Sequence, residues 1–111
     1  MSKTISGNAI IGNYIVECLR DNRKEFSIVE LFEFDEKVSE KLEGFKIFSN
    51  FSNTSVEKFL EEDHPYMFEK AEEGFITLKD DLDWKNLARR FRLGIPHEVG
   101  KIMSKVYEEM K

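Results

Sequence analysis

Several protein classes are excluded by what the sequence has little of. One cysteine in 111 residues rules out a disulfide framework and a cluster of zinc thiolates. Six glycines and two prolines are too few for a turn-rich β fold, so long uninterrupted elements are expected. No apolar run approaches the roughly 18 residues needed to cross a bilayer, and no membrane role is expected. Met1-Ser2-Lys3-Thr4-Ile5 lacks the long apolar stretch of a signal peptide, which points to the cytoplasm. There is no Gly-rich phosphate loop, HExxH pair, EF-hand loop or nucleophile elbow. Neither an enzyme, a cofactor nor a metal site is expected.

What is present supports one folded domain over residues 1–111. Forty-one per cent of the residues are hydrophobic and ten are Phe, enough apolar material to offset the entropy of ordering. The net charge of −5 conceals a split. Residues 1–83 carry ten basic and 19 acidic side chains, a net of −9, and residues 84–111 carry seven basic and three acidic, a net of +4. Such a division predicts two surfaces with different partners.

Hydrophobic spacing predicts five helices. Ser6 or Asn8 caps the first, in which Ile11, Ile15, Cys18 and Leu19 form one buried face up to about Asn22. On that face Cys18 is expected to be a buried thiol and not a nucleophile. Asp21-Asn22-Arg23-Lys24 reads as a break. Ser27 and Glu30 have capping-box spacing at the start of a second helix, ended by Gly44 and open to a break near Phe34. Phe45–Phe48 reads as a short strand, and Ser49-Asn50-Phe51-Ser52 as a loop. Phe45, Phe48 and Phe51 are the aromatics to inspect for exposure. A third helix starts at Asn53 or Thr54 and must stop before Pro65. Tyr66–Lys70 and Phe75–Lys79 flank Ala71-Glu72-Glu73-Gly74, the composition of a β-hairpin. Trp84, Leu87, Ala88 and Phe91 mark a fourth helix. After a tight turn at Arg92-Leu93-Gly94-Ile95, Pro96 opens a fifth.

Three helices followed by a two-stranded hairpin resemble a winged-helix domain. Ser55-Val56-Glu57-Lys58-Phe59-Leu60, Pro65-Tyr66-Met67-Phe68 and Gly74-Phe75-Ile76-Thr77-Leu78 are similar in rhythm to the third helix and wing of the LOTUS (OST-HTH) branch. The resemblance spans residues 8–79, and residues 82–111 follow as a basic helical hairpin. The expected fold is mainly α with a small β-hairpin. Trp84 to Tyr107 also resembles the helix-turn-helix of bacterial regulators, although Gly94 and Val99 fall later than in that pattern. The winged-helix resemblance implies nucleic-acid or protein binding, as in DNA-binding proteins of transcription regulation. A groove-reading helix needs Arg, Lys, Asn or Gln, whereas this third helix offers Glu57, Glu61, Glu62 and Asp63, and the turn adds Glu72 and Glu73. Those carboxylates repel phosphate.

The candidate nucleic-acid contacts are therefore Lys85, Arg89, Arg90 and Arg92 on the fourth helix and Lys101 and Lys105 on the fifth. Lys85, Arg89 and Arg92 fall at i, i+4 and i+7, and His97, Lys101 and Lys105 fall four apart, so each set shares a helix face. Such cations suit phosphate contact, or else they pair with the acidic body. The expected function is a non-enzymatic, nucleic-acid-associated regulator. The alternative is a protein-interaction module or inhibitor, in which Glu57, Glu61, Glu62, Glu72 and Glu73 dock on a basic partner or mimic nucleic-acid charge. Val99, Ile102, Met103, Val106 and Met110 either pack on the body or form a homodimer seam. Glu61-Glu62-Asp63-His64 contains metal-ligating residue types, but adjacent carboxylates point apart, so a solvated helix end is expected.

Overall fold

A computed structural model describes residues 3–42, 44–48, 53–93 and 95–111, without the side chains of 3–4, 45–48, 53–55, 63 and 70–72. Five α-helices are present among these residues: α1 (Gly7–Arg20), α2 (Ile28–Lys41), α3 (Asn53–Lys58), α4 (Trp84–Arg92) and α5 (His97–Met110). The strands are β1 (Lys3–Ser6), β2 (Glu25–Ser27), β3 (Phe45–Phe48), β4 (Phe68–Glu72) and β5 (Phe75–Leu78). Parallel pairing joins β1 to β3, and an antiparallel sheet has the order β2-β5-β4. The chain is mainly helical, as expected, with a small sheet in place of a bare hairpin.

Local chemistry explains most boundaries. The Ser6 hydroxyl accepts from the Ala9 N–H and starts α1. At its other end Asn22 takes φ 59°, and the Asn22 and Arg23 amides donate to the Leu19 and Cys18 carbonyls. That pair of bonds is a Schellman closure, with asparagine at the left-handed position. Ser27 and Glu30 form the reciprocal capping box: each side chain accepts from the other residue's amide. Ser27→Ala is expected to cost about 1 kcal/mol, measurable by urea unfolding. Helix α2 runs through Phe34 unbroken, because Phe34 points into the core on the same face as Leu31 and Val38. Gly44, at φ 81°, follows its end.

The third helix is less regular than its spacing predicts. Six α-helical residues give way to a π-turn at Phe59–Asp63, where the His64 amide donates to the Phe59 carbonyl at 2.9 Å. Pro65 then opens a single 3₁₀ turn. The hairpin turn is shorter than four residues. Glu72 pairs with Phe75, leaving Glu73 and Gly74 at φ 49° and 82°, the two positive values of a type I′ turn. The expected loop at 49–52 and the Gly94 corner lie outside the described residues.

One contiguous core takes side chains from every helix. Tyr14 of α1 sits at its centre, with ring centroids 5.3 Å from Phe26, 5.0 Å from Phe34 and 5.6 Å from Tyr107. Cys18 is buried beside them, and that burial pushes its thiol up to about 12, which keeps it protonated and unreactive. Helix α1 is the hub, packing against α2, α4 and α5.

Candidate nucleic-acid interface

Helix α4 begins where the Asp83 carboxylate accepts from the Lys85 amide at 3.1 Å. Leu87 and Phe91 bury one side of it against α1, which leaves Lys85, Arg89 and Arg90 exposed. Helix α5 buries Val99, Met103, Val106 and Tyr107 and exposes Lys101 and Lys105. The last two helices make their main contacts with α1 and α2. The apolar face of α5 is not an open dimer seam, because Val99, Met103 and Val106 are wholly buried in this chain's own core and Ile102 and Met110 pack against it.

The cations of the molecule differ in pairing. Arg20, Arg23, Lys24, Lys37, Lys41 and Lys111 all lie within ion-pair distance of carboxylates, whereas Lys58 and Lys79 make no such pair among the described residues. Lys85, Arg89, Arg90, Lys101 and Lys105 make no such pair among the described residues. Lys85 lies 5.9 Å from the Trp84 ring centroid. Arg90 donates to the Tyr66 hydroxyl at 2.6 Å and lies over that ring at 5.5 Å, so the base of the hairpin holds it in place. Spacing within α4 gave no sign of Tyr66, because the partner comes from a distant turn.

Arg92 belongs elsewhere. Its guanidinium turns inward from the other cations, with Nη2 donating to Glu17 Oε1 at 2.7 Å and Nε donating to Asn13 Oδ1 at 3.0 Å. The Ser104 hydroxyl donates to the same Glu17 oxygen at 2.8 Å. Glu17 is 2 % exposed and Asn13 is fully buried. A carboxylate so enclosed needs a cation and hydrogen bonds, and Arg92 supplies both, tying α1 to α4 and α5. A sequence signal for this was present. Asn13 and Glu17 lie four apart on the otherwise apolar face of α1, where polar groups need partners.

No family model, curated protein or solved structure matches the chain. Its chemistry rests on its own geometry.

The acidic set is dispersed over α3, the π-turn and the hairpin. Glu57, Glu61, Glu62 and Glu73 are exposed, and the Glu72 side chain lies outside the described residues, as do those of Phe45, Phe48 and Phe51. His64 stacks against Phe59 and Phe91 at 4.7 and 5.1 Å. Among the described residues no three His, Cys, Asp or Glu side chains converge on a metal position. No described helix is long and apolar enough to cross a membrane.

Proposed function

We propose that this chain is a non-enzymatic, cytoplasmic, nucleic-acid-associated regulator whose phosphate contacts come from α4 and α5. The observation that carries the reading is the pairing asymmetry. Five of the seven cations with described side chains in residues 1–83 lie within ion-pair distance of a carboxylate, against two of seven in residues 84–111, where Lys85, Arg89, Arg90, Lys101 and Lys105 make no such pair among the described residues. Unpaired cations are the ones that release counterions when they meet a phosphate backbone.

The element order supports a winged-helix reading of residues 8–79. A short strand between the first two helices pairs with the returning strand of the hairpin, giving the sheet order β2-β5-β4, as in that superfamily. The α3 surface is acidic, so the proposed contacts lie outside the groove-reading helix. Exposed Glu57, Glu61, Glu62 and Glu73 favour a second role, docking a basic protein on the acidic surface of α3, the π-turn and the hairpin.

Binding of short DNA and RNA, duplex and single-stranded, at about 50 and 200 mM salt tests the proposal. Contact with about five phosphates predicts a loss of about 500-fold across that range. Replacing Lys85, Arg89 and Lys105 together by Ala should flatten the salt slope by about three units. Absence of binding at the lower salt overturns it.

A further inference from the structure

The connection between α4 and α5 leaves a cleft of about 410 Å3, with Arg92, Ile95, His97, Gly100, Lys101 and Ser104 among its walls. That volume suits a small molecule. Among the described residues no carboxylate lines it, and Glu17 lies behind Arg92, occupied by Arg92 and Ser104. Arg92 is thereby fixed, with Nε on Asn13 and Nη2 on Glu17, while Nη1 has no bond among the described residues. His97 and Lys101 are exposed and without an ion pair among the described residues.

Gly100 adds an independent observation. It lies inside α5, where glycine is less favourable than alanine. Its φ is not positive, and a Cβ built on it would meet nothing within 4 Å. Neither backbone conformation nor close packing calls for glycine there. It lines the cleft, so a Cβ there would project into open space on that wall.

We propose that this cleft binds a small organic phosphate, with the phosphate held by Arg92, Lys101 and His97 and a compact apolar body against Ile95 and Pro96. A fixed guanidinium edge and an ammonium on one cleft offer charged donors to a phosphate, and the apolar wall matches the organic part. The site shares Lys101 with the proposed nucleic-acid contacts, whereas Lys85, Arg89, Arg90 and Lys105 do not line it.

The full chain labelled with 15N can be titrated with phenyl phosphate, inorganic phosphate and benzoate at low salt. Phenyl phosphate is expected to shift the Gly100, Lys101 and Ser104 amides saturably, with a dissociation constant in about the millimolar range. Its affinity should exceed that of the other two probes. Lys101→Ala should weaken it about tenfold. Gly100→Ala should raise the thermal midpoint by about 4 °C and lose the binding, a combination that misfolding does not produce. The proposal is overturned by no saturable shift by about 10 mM phenyl phosphate, by undiminished binding in Gly100→Ala, or by equal affinity for benzoate or inorganic phosphate. The Lys85, Arg89 and Lys105 triple variant should bind phenyl phosphate as the parent does, and loss there likewise overturns it.

Discussion

Arg92→Ala is expected to lower folding stability by about 3 kcal/mol, because it strips a buried carboxylate of its cation. Among the described residues Glu17 would keep the Ser104 hydroxyl at 2.8 Å and the more distant Arg20 guanidinium at 3.6 Å. The loss sits at the low end for a broken buried pair, since the Arg92 side chain is 35 % exposed and its outer edge already meets water. Asn13 Oδ1 would also lose its donor. Urea unfolding of the single variant gives the cost. The Glu17→Leu, Arg92→Met double variant separates charge from packing. Replacing both members of a buried pair by apolar groups is neutral or stabilising, so the double variant should recover most of the loss. A cost below about 1 kcal/mol for Arg92→Ala would mean that Glu17 is not held as an unsolvated carboxylate. Nucleic-acid affinity measured on Arg92 variants would mix folding with binding, which makes Arg89 and Lys85 the cleaner positions.

The second large effect comes from a single methyl group. A Cβ at Gly12 would lie 2.2 Å from Cδ1 and 2.3 Å from Cγ of Phe91, far inside contact distance. The ring has little room to withdraw, because Phe59 and His64 stand 6.0 and 5.1 Å away. Overpacking of this kind costs about 3 kcal/mol, and the gain of about 1 kcal/mol in helix propensity offsets part of it. Gly12→Ala should therefore lose about 2 kcal/mol net. Phe91→Leu in that background should restore part of it by vacating the crossing. The same substitution at Gly100 is expected to stabilise. Two glycines inside helices thus respond with opposite signs, because one touches a ring and the other faces open space.

Much of the scaffold was legible. Apolar spacing located the five helices, and capping chemistry placed the starts of α1 and α2. The break at residues 21–24 and the Gly74-containing turn were also readable, although the left-handed Asn22 that closes α1 was not. The short strands were less visible. Three residues with one buried aromatic, as in β2, carry no period, and Lys3–Ser6 is a strand only through its pairing with a segment some 40 residues away. The candidate cations were half legible. Helical spacing placed Lys85, Arg89, Lys101 and Lys105 on exposed faces, but put Arg92 with them because i, i+7 counting ignores what lies opposite. Its inward turn is dictated by Glu17, on another helix 75 positions earlier. Long-range electrostatics of that sort leaves no mark on local periodicity.

The hub position of α1 has a temporal side. Residues 7–20 are synthesised well before residues 84–110, which supply two of the three helices that cover them. At about 5–20 residues per second, the face bearing Ile10, Ile11, Tyr14 and Ile15 waits in water for about 4 to 15 seconds. During that interval Asn13 and Glu17 are the polar breaks in a sticky stripe on the nascent chain. The carboxylate that later needs Arg92 is, until Arg92 exists, a charge that discourages the stripe from binding other apolar surfaces. Helices α4 and α5, which emerge later than α1, therefore complete the core and neutralise this gatekeeper in the same step.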